Sequence, residues 1–226
     1  MNIFYDSDKS AIDKHLINDL VSEIDKILSK SQFCNIAIAG GRSISSVLDR
    51  LVLEKLDWNR LRVFVVDDRC LPIEDEESNS YLVKKHLADK VPVNFYPFTY
   101  NPDAKDRGAS EYSRILKNNG GKFDLLILSA GEDGHTAGLF PNNQGIKSEK
   151  EGYVFIDDSP KPPAERVSIT KNTFLSSKGA FIVFVGEGKK EAYRKFIDQN
   201  TPIEACPSKL VQHLSDFFVY TDILDY

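Results

Sequence analysis

Leu125-Leu126-Ile127-Leu128 runs directly into Ser129-Ala130-Gly131-Glu132-Asp133-Gly134-His135-Thr136. A short run of large apolar residues closed by a glycine-bearing polar turn reads as a strand buried on both faces. The same grammar occurs three more times. Ile36-Ala37-Ile38-Ala39 ends in Gly40-Gly41-Arg42-Ser43, Val63-Phe64-Val65-Val66 ends in Asp67-Asp68-Arg69, and residues 180–185 end in Gly186-Glu187-Gly188-Lys189. Helical periodicity fills the intervals. Ile12, Leu16, Leu20, Ile24 and Ile27 or Leu28 mark an amphipathic helix over residues 10–29, and Val47, Leu48, Leu51 and Val52 mark the next. Further helices are expected from Ser78 as N-cap to residue 88, over 103–118, up to residue 197, and from Pro207 at a first helical position. Weaker strand patterns lie at 93–98, 153–156, 167–169 and 217–220, the first of them demoted by Pro97. Apolar strands alternating with helices mean a mostly parallel sheet covered on both sides. The fold class is therefore α/β, a three-layer α/β/α arrangement of Rossmann-like type, in a single domain over residues 1–226.

Composition bounds the function. The chain has 226 residues, 28% charged and 41% hydrophobic, which is ordinary for a folded domain. Its net charge of −5, from 29 basic and 34 acidic residues, argues against bulk nucleic-acid or anionic-membrane partners. Any anionic ligand must then be held by a local cluster of cations. The longest apolar run is far too short to cross a bilayer, and the first six residues lack a secretory signal's pattern. Cys34, Cys70 and Cys206 are widely spaced and odd in number, which fits a reducing, cytoplasmic setting and three ordinary thiols.

In an open parallel sheet, ligands bind beyond the carboxyl ends of the strands, where the strand order reverses. If the four strands are parallel, their four polar turns share one edge. Gly40, Gly41, Arg42 and Ser43 open a helix whose free N–H groups favour an anion such as phosphate, although a plain turn capped by Ser43 explains them equally well. Asp67 and Arg69 are candidate substrate-binding residues, because a guanidinium suits bidentate phosphate binding; a guanidinium paired with its own acidic neighbours is the alternative. Lys189 offers a point charge, or is an exposed helical lysine. Arg166 adds a cation after the Pro-rich stretch, or is solvated.

His135 is the histidine set in a glycine-rich turn, and there it suits a general base near neutral pH. Asp133 orients it or caps the turn. His15 and His86 lie in helical patterns and His213 near the end of another, as ordinary surface or packed residues. No Gly-x-Ser-x-Gly elbow is present and no histidine pair has metal-ligand spacing. One imidazole, several carboxylates and up to four cations suit water activation on a small phosphorylated substrate without a metal.

Residues 123–128 followed by Gly131-Glu132-Asp133-Gly134-His135-Thr136-Ala137-Gly138-Leu139-Phe140-Pro141 closely resemble the hallmark of the 6-phosphogluconolactonase family. Gly40 to Ser43, then Asp67-Asp68-Arg69-Cys70 with Glu77-Ser78-Asn79, and Lys161-Pro162-Pro163-Ala164-Glu165-Arg166-Val167-Ser168-Ile169-Thr170 match in order, over residues 34–190. The resemblance implies the fold of ribose-5-phosphate isomerases and glucosamine-6-phosphate deaminases. It implies hydrolysis of 6-phospho-D-glucono-1,5-lactone in the oxidative pentose phosphate pathway, in the cytoplasm, without a cofactor, by a monomer or weak homodimer. It implies His135 as base, and Arg69, Arg166, Lys189 and residues 40–43 as phosphate contacts. Asp68 stands where the family usually has Glu, Arg42-Ser43 where it often has Ser-Thr, and Ser129-Ala130 replaces a more glycine-rich approach. The alternatives of the same fold are a deaminase and a sugar-phosphate-sensing module. The deaminases carry a Glu five residues after the histidine, where this chain has Phe140, and no DNA-binding segment is expected before residue 34.

Overall fold

The computed structural model describes residues 2–224, so Met1, Asp225 and Tyr226, the ends of the expected domain, lie outside the described residues. The strands are β1 (Asn2–Tyr5), β2 (Cys34–Ile38), β3 (Leu61–Val65), β4 (Asp67–Arg69), β5 (Asn94–Phe95), β6 (Leu125–Ser129), β7 (Tyr153–Ile156), β8 (Arg166–Ile169), β9 (Gly179–Phe184) and β10 (Asp216–Thr221). The α-helices are α1 (Lys9–Leu28), α2 (Arg42–Leu51), α3 (Asn79–Val83), α4 (Ala109–Asn118), α5 (Gln144–Lys147), α6 (Lys171–Leu175) and α7 (Lys190–Ile197). Seven strands form one wholly parallel sheet in the order β1-β10-β9-β6-β2-β3-β5. Every residue of β2 and β9 is buried, as the continuous apolar runs demand of strands covered on both faces. The helices complete three α/β/α layers, with α1 packed against α2 and α7 against β9. The stripe Ile12, Leu16, Leu20, Ile24 and Leu28 faces the core, and Asp8 caps α1 by accepting from the Ser10 amide.

Three differences from the sequence reading have physical causes. Asp67–Arg69 is a strand as well as a strand-end turn: β4 pairs antiparallel with β8, and β8 with β7, in a separate three-stranded sheet. The chain leaves the parallel sheet after β3 because the buried Asp68 carboxylate accepts the amides of Arg69, Asn79 and Ser80 and the Ser78 hydroxyl. The helix expected over 103–118 starts only at Ala109, because Asp106 accepts from the Gly108 and Ser110 amides and closes a turn there. The helix opened by Pro207 is a 3₁₀ helix, Pro207–His213. The sequence reading also missed β1, an edge strand with Ile3 and Tyr5 each 40% exposed.

From β2 the chain steps to β3 and β5 on one side and to β6, β9 and β10 on the other. The order thus reverses between β2 and β6, and the loops after these two strands face each other across the crevice where a ligand is expected.

Candidate active site

A cavity of 260 Å³ opens at that crevice. All four strand-end turns contribute to its lining: Gly40 and Gly41 after β2, Asp67 and Arg69 after β3, residues 129–132 with His135 after β6, and Lys189 after β9. Arg166 at the start of β8 lines it as well. Arg42 and Ser43 are outside the lining. They form the first turn of α2, and Gly41, at φ +104°, is the N-cap in place of Ser43. Ile44 and Ser45 donate their amides to the Gly41 carbonyl, which leaves the amides of Arg42 and Ser43 ahead of the first helical hydrogen bond, so what this turn offers a ligand is backbone rather than the Arg42 or Ser43 side chains.

Asp133 lies behind the imidazole. Its Oδ1 is 2.5 Å from Nδ1 of His135 and accepts from the His135 amide at 3.2 Å. Partial burial opposes its charge, but the hydrogen bond and charge of His135 win and hold the carboxyl well below its usual range. An ionised carboxylate can only accept, so Nδ1 carries the proton and Nε2 keeps its lone pair for a substrate or water. Gly131 makes the pairing possible: a Cβ there would sit 1.9 Å from Nδ1. Phe140 packs against the ring at a centroid distance of 4.3 Å and is itself buried.

The lining also carries cations. Arg69 donates to the Glu77 carbonyl at 2.5 Å and to Asn79 Oδ1 at 3.1 Å, while its Nε has no protein acceptor among the described residues. Arg166 is 6% exposed, and its Nη1 is 3.9 Å from Asp67 Oδ2. Its Nε donates to Ser159 Oγ at 3.1 Å. Burial pushes the Arg166 guanidinium down and Asp67 up, each shift opposed by the other's charge. Lys189 donates to the Ala130 carbonyl, and burial lowers its ammonium against the opposing pull of Glu132. The site therefore joins a base with an oriented lone pair to a concentration of cations, the arrangement needed to hold an anion while activating water beside it.

Among the charged and amide side chains of the lining, three were not sequence candidates: Asn79, Glu132 and Lys161. Asn79 stands over Gly40, where a Cβ would be 1.8 Å from its Oδ1, and donates to the Asp67 carbonyl at 2.8 Å. Its sequence signals were its place beside the helix cap Ser78 and in the Glu77-Ser78-Asn79 segment. The three cysteines are free and buried, and burial raises each thiol. No group of three or more metal-ligating side chains occurs among the described residues.

Residues 7–219 match the family model described as glucosamine-6-phosphate isomerases/6-phosphogluconolactonase. The chain belongs to this family. Among curated relatives it is 34% identical to a 6-phosphogluconolactonase of Borreliella burgdorferi, over 87% of this chain and 86% of that protein. It is 30% identical to a probable 6-phosphogluconolactonase 2 of Oryza sativa, over 93% of this chain and 81% of the relative. A crystal structure of a 6-phosphogluconolactonase from Shewanella baltica superimposes with a TM-score of 0.86, covering 97% of this chain and 96% of that one. At 22% identity that likeness speaks for the fold, which is the family's three-layer architecture as the sequence implied.

Proposed function

We propose that this chain hydrolyses 6-phospho-D-glucono-1,5-lactone to 6-phospho-D-gluconate, the lactone-opening step of the oxidative pentose phosphate pathway. The observation that carries this reading is the Asp133–His135 pair set at the rim of a cavity lined by Arg69, Arg166 and Lys189. Nε2 of His135 takes a proton from water as the water oxygen bonds to C1 and the carbonyl becomes an oxyanion. The oxyanion collapses, the C1–ring oxygen bond breaks, and the imidazolium returns the proton to the departing ring oxygen. The new carboxylic acid releases its proton to solvent. A positioned base contributes about 10²–10⁴-fold, and alignment of C1 by a gripped phosphate adds to it. The amides of Gly131 and Gly134 are already committed to the His135 and Gly131 carbonyls. The amides at the start of α2 are therefore the better backbone donors for an anion.

A deaminase acting on glucosamine 6-phosphate is disfavoured by Phe140, which presents an apolar ring beside His135. The three free, buried thiols support a cytoplasmic setting. Among the described residues no helix is long and apolar enough to cross a membrane.

The test is pH-stat titration of freshly prepared 6-phosphogluconolactone with the purified chain, run beside glucosamine 6-phosphate with ammonia detection. Acid release from the lactone far above its spontaneous rate, with no ammonia, is the expected result. Ammonia release without lactone hydrolysis overturns the reading.

A further inference from the structure

Lys161 reaches the same cavity from the Pro160-Lys161-Pro162-Pro163 loop between β7 and β8. Its backbone is pinned on both sides. The Lys161 carbonyl accepts from Ser159 Oγ at 3.0 Å and from Nη2 of Arg166 at 3.4 Å, and its amide donates to Ser159 Oγ at 3.3 Å. Prolines on either side restrict the loop further. The cavity-lining Arg166 thus also fixes the loop that carries Lys161.

The cations of the cavity differ in what they touch. Arg166 has Asp67 at 3.9 Å, and Arg69 is spent partly on the Glu77 carbonyl and Asn79. Lys161 forms no ion pair among the described residues, and Lys189 has only the Ala130 carbonyl. The two ammonium groups nevertheless lie close enough for the charge of Lys161 to depress that of Lys189. Glu132 and Asp133 offset these charges without closing an ion pair to either lysine, so the cations of the cavity still gain when an anion enters it. A phosphate monoester, with nearly two negative charges at neutral pH, supplies that gain better than a monoanion or a neutral sugar.

We infer that Lys161 is a specificity-determining residue, which pairs with Lys189 to select the phosphorylated lactone over its unphosphorylated counterpart. This rests on the lactonase reading above and adds a residue and a function to it. Glucono-1,5-lactone offers the same reacting carbonyl without the charge. The experiment measures kcat and KM of wild type, Lys161→Gln and Lys161→Arg on both lactones, with thermal unfolding as the check on folding. In Lys161→Gln the ratio of kcat/KM, phosphorylated over unphosphorylated, falls about tenfold to a hundredfold, the size of one charge-assisted contact. The loss appears mainly in KM, and Lys161→Arg recovers part of it. An unchanged ratio in an active, folded variant overturns the inference, as does an equal fall of kcat on both lactones, which would place Lys161 at the chemical step. If the wild type itself hydrolyses neither lactone, the lactonase reading fails instead, so the two failures are distinct.

Discussion

Three constraints converge on His135. Its Nδ1 is held by Asp133 at 2.5 Å, its ring lies against Phe140, and its neighbour Gly131 leaves room that no other residue would. Replacing it by asparagine keeps a polar side chain of similar reach but removes the basic lone pair. His135→Asn therefore lowers kcat by about a hundredfold or more with circular dichroism and unfolding midpoint little changed; near-normal turnover removes His135 as base. Asp133→Asn tests the tautomer. An amide can donate to Nδ1 and stabilise the wrong tautomer, so kcat falls by about tenfold or more while KM stays near wild type. The same variant has a stability signature. Because folding holds the Asp133 carboxyl below its unfolded range, its contribution is present at neutral pH and lost as pH falls through the acid range. Asp133→Asn should show a shallower acid-side decline in unfolding midpoint than wild type. An identical decline would mean that the pairing does not persist in solution. Arg69→Ala, by contrast, raises KM for the phosphorylated lactone more than it lowers kcat, since its orphan Nε and partly committed Nη1 suit gripping rather than chemistry.

At the scale of elements, the site hangs on the junction where β3 gives way to β4. Asp68 is 1% exposed and gathers four donors from two segments. Burial raises its carboxyl from 3.8 to about 6 despite the hydrogen bonds from Ser80 and Asn79. The sign is opposite to that of Asp133. Between those two values the folded state holds the more protons, so this group's contribution to stability falls as pH rises through the window. Asp68→Asn should flatten stability between about pH 4 and pH 6 and, because an NH₂ group must then face N–H donors, cost about 1–3 kcal/mol at neutral pH by chemical denaturation. An unchanged pH dependence would show that Asp68 is not the titrating group.

This junction also marks the limit of what the sequence reveals. The strands of the parallel sheet announce themselves because continuous apolar runs have few other places to go. The short strand β4 does not, because Asp67, Asp68 and Arg69 carry no apolar periodicity and pair with β8 only through contacts distant in the chain. The cavity residues Gly40, Gly41, Asp67, Arg69, His135 and Lys189 were legible because strand-end turns of a parallel sheet must converge. Asn79, Glu132 and Lys161 were not, because which side chain turns inward depends on the loops' tertiary packing. For the same reason Arg42 and Ser43, candidates by their place in the turn, lie outside the lining.

At the scale of the whole molecule, the distribution of charge matters more than its sum. The chain carries a net −5. Its cavity nevertheless sets Arg69, Lys161, Arg166 and Lys189 against only two carboxylates, Asp67 and Glu132. A dianionic substrate is repelled weakly by the bulk surface and drawn by this local surplus, whose field is focused by the low-dielectric walls of a crevice. Mobile ions shorten the reach of that field from about 10 Å at 0.1 M to about 3 Å at 1 M ionic strength. KM for 6-phosphogluconolactone should therefore climb severalfold as sodium chloride is raised from low to high concentration, with kcat nearly constant. Glucono-1,5-lactone, lacking the charge, should show almost no such climb. Steady-state kinetics on both lactones across one salt series separates the possibilities. Parallel salt curves for the two substrates would mean that salt acts on the fold or on the chemical step, and that the cationic lining does not recruit the phosphate.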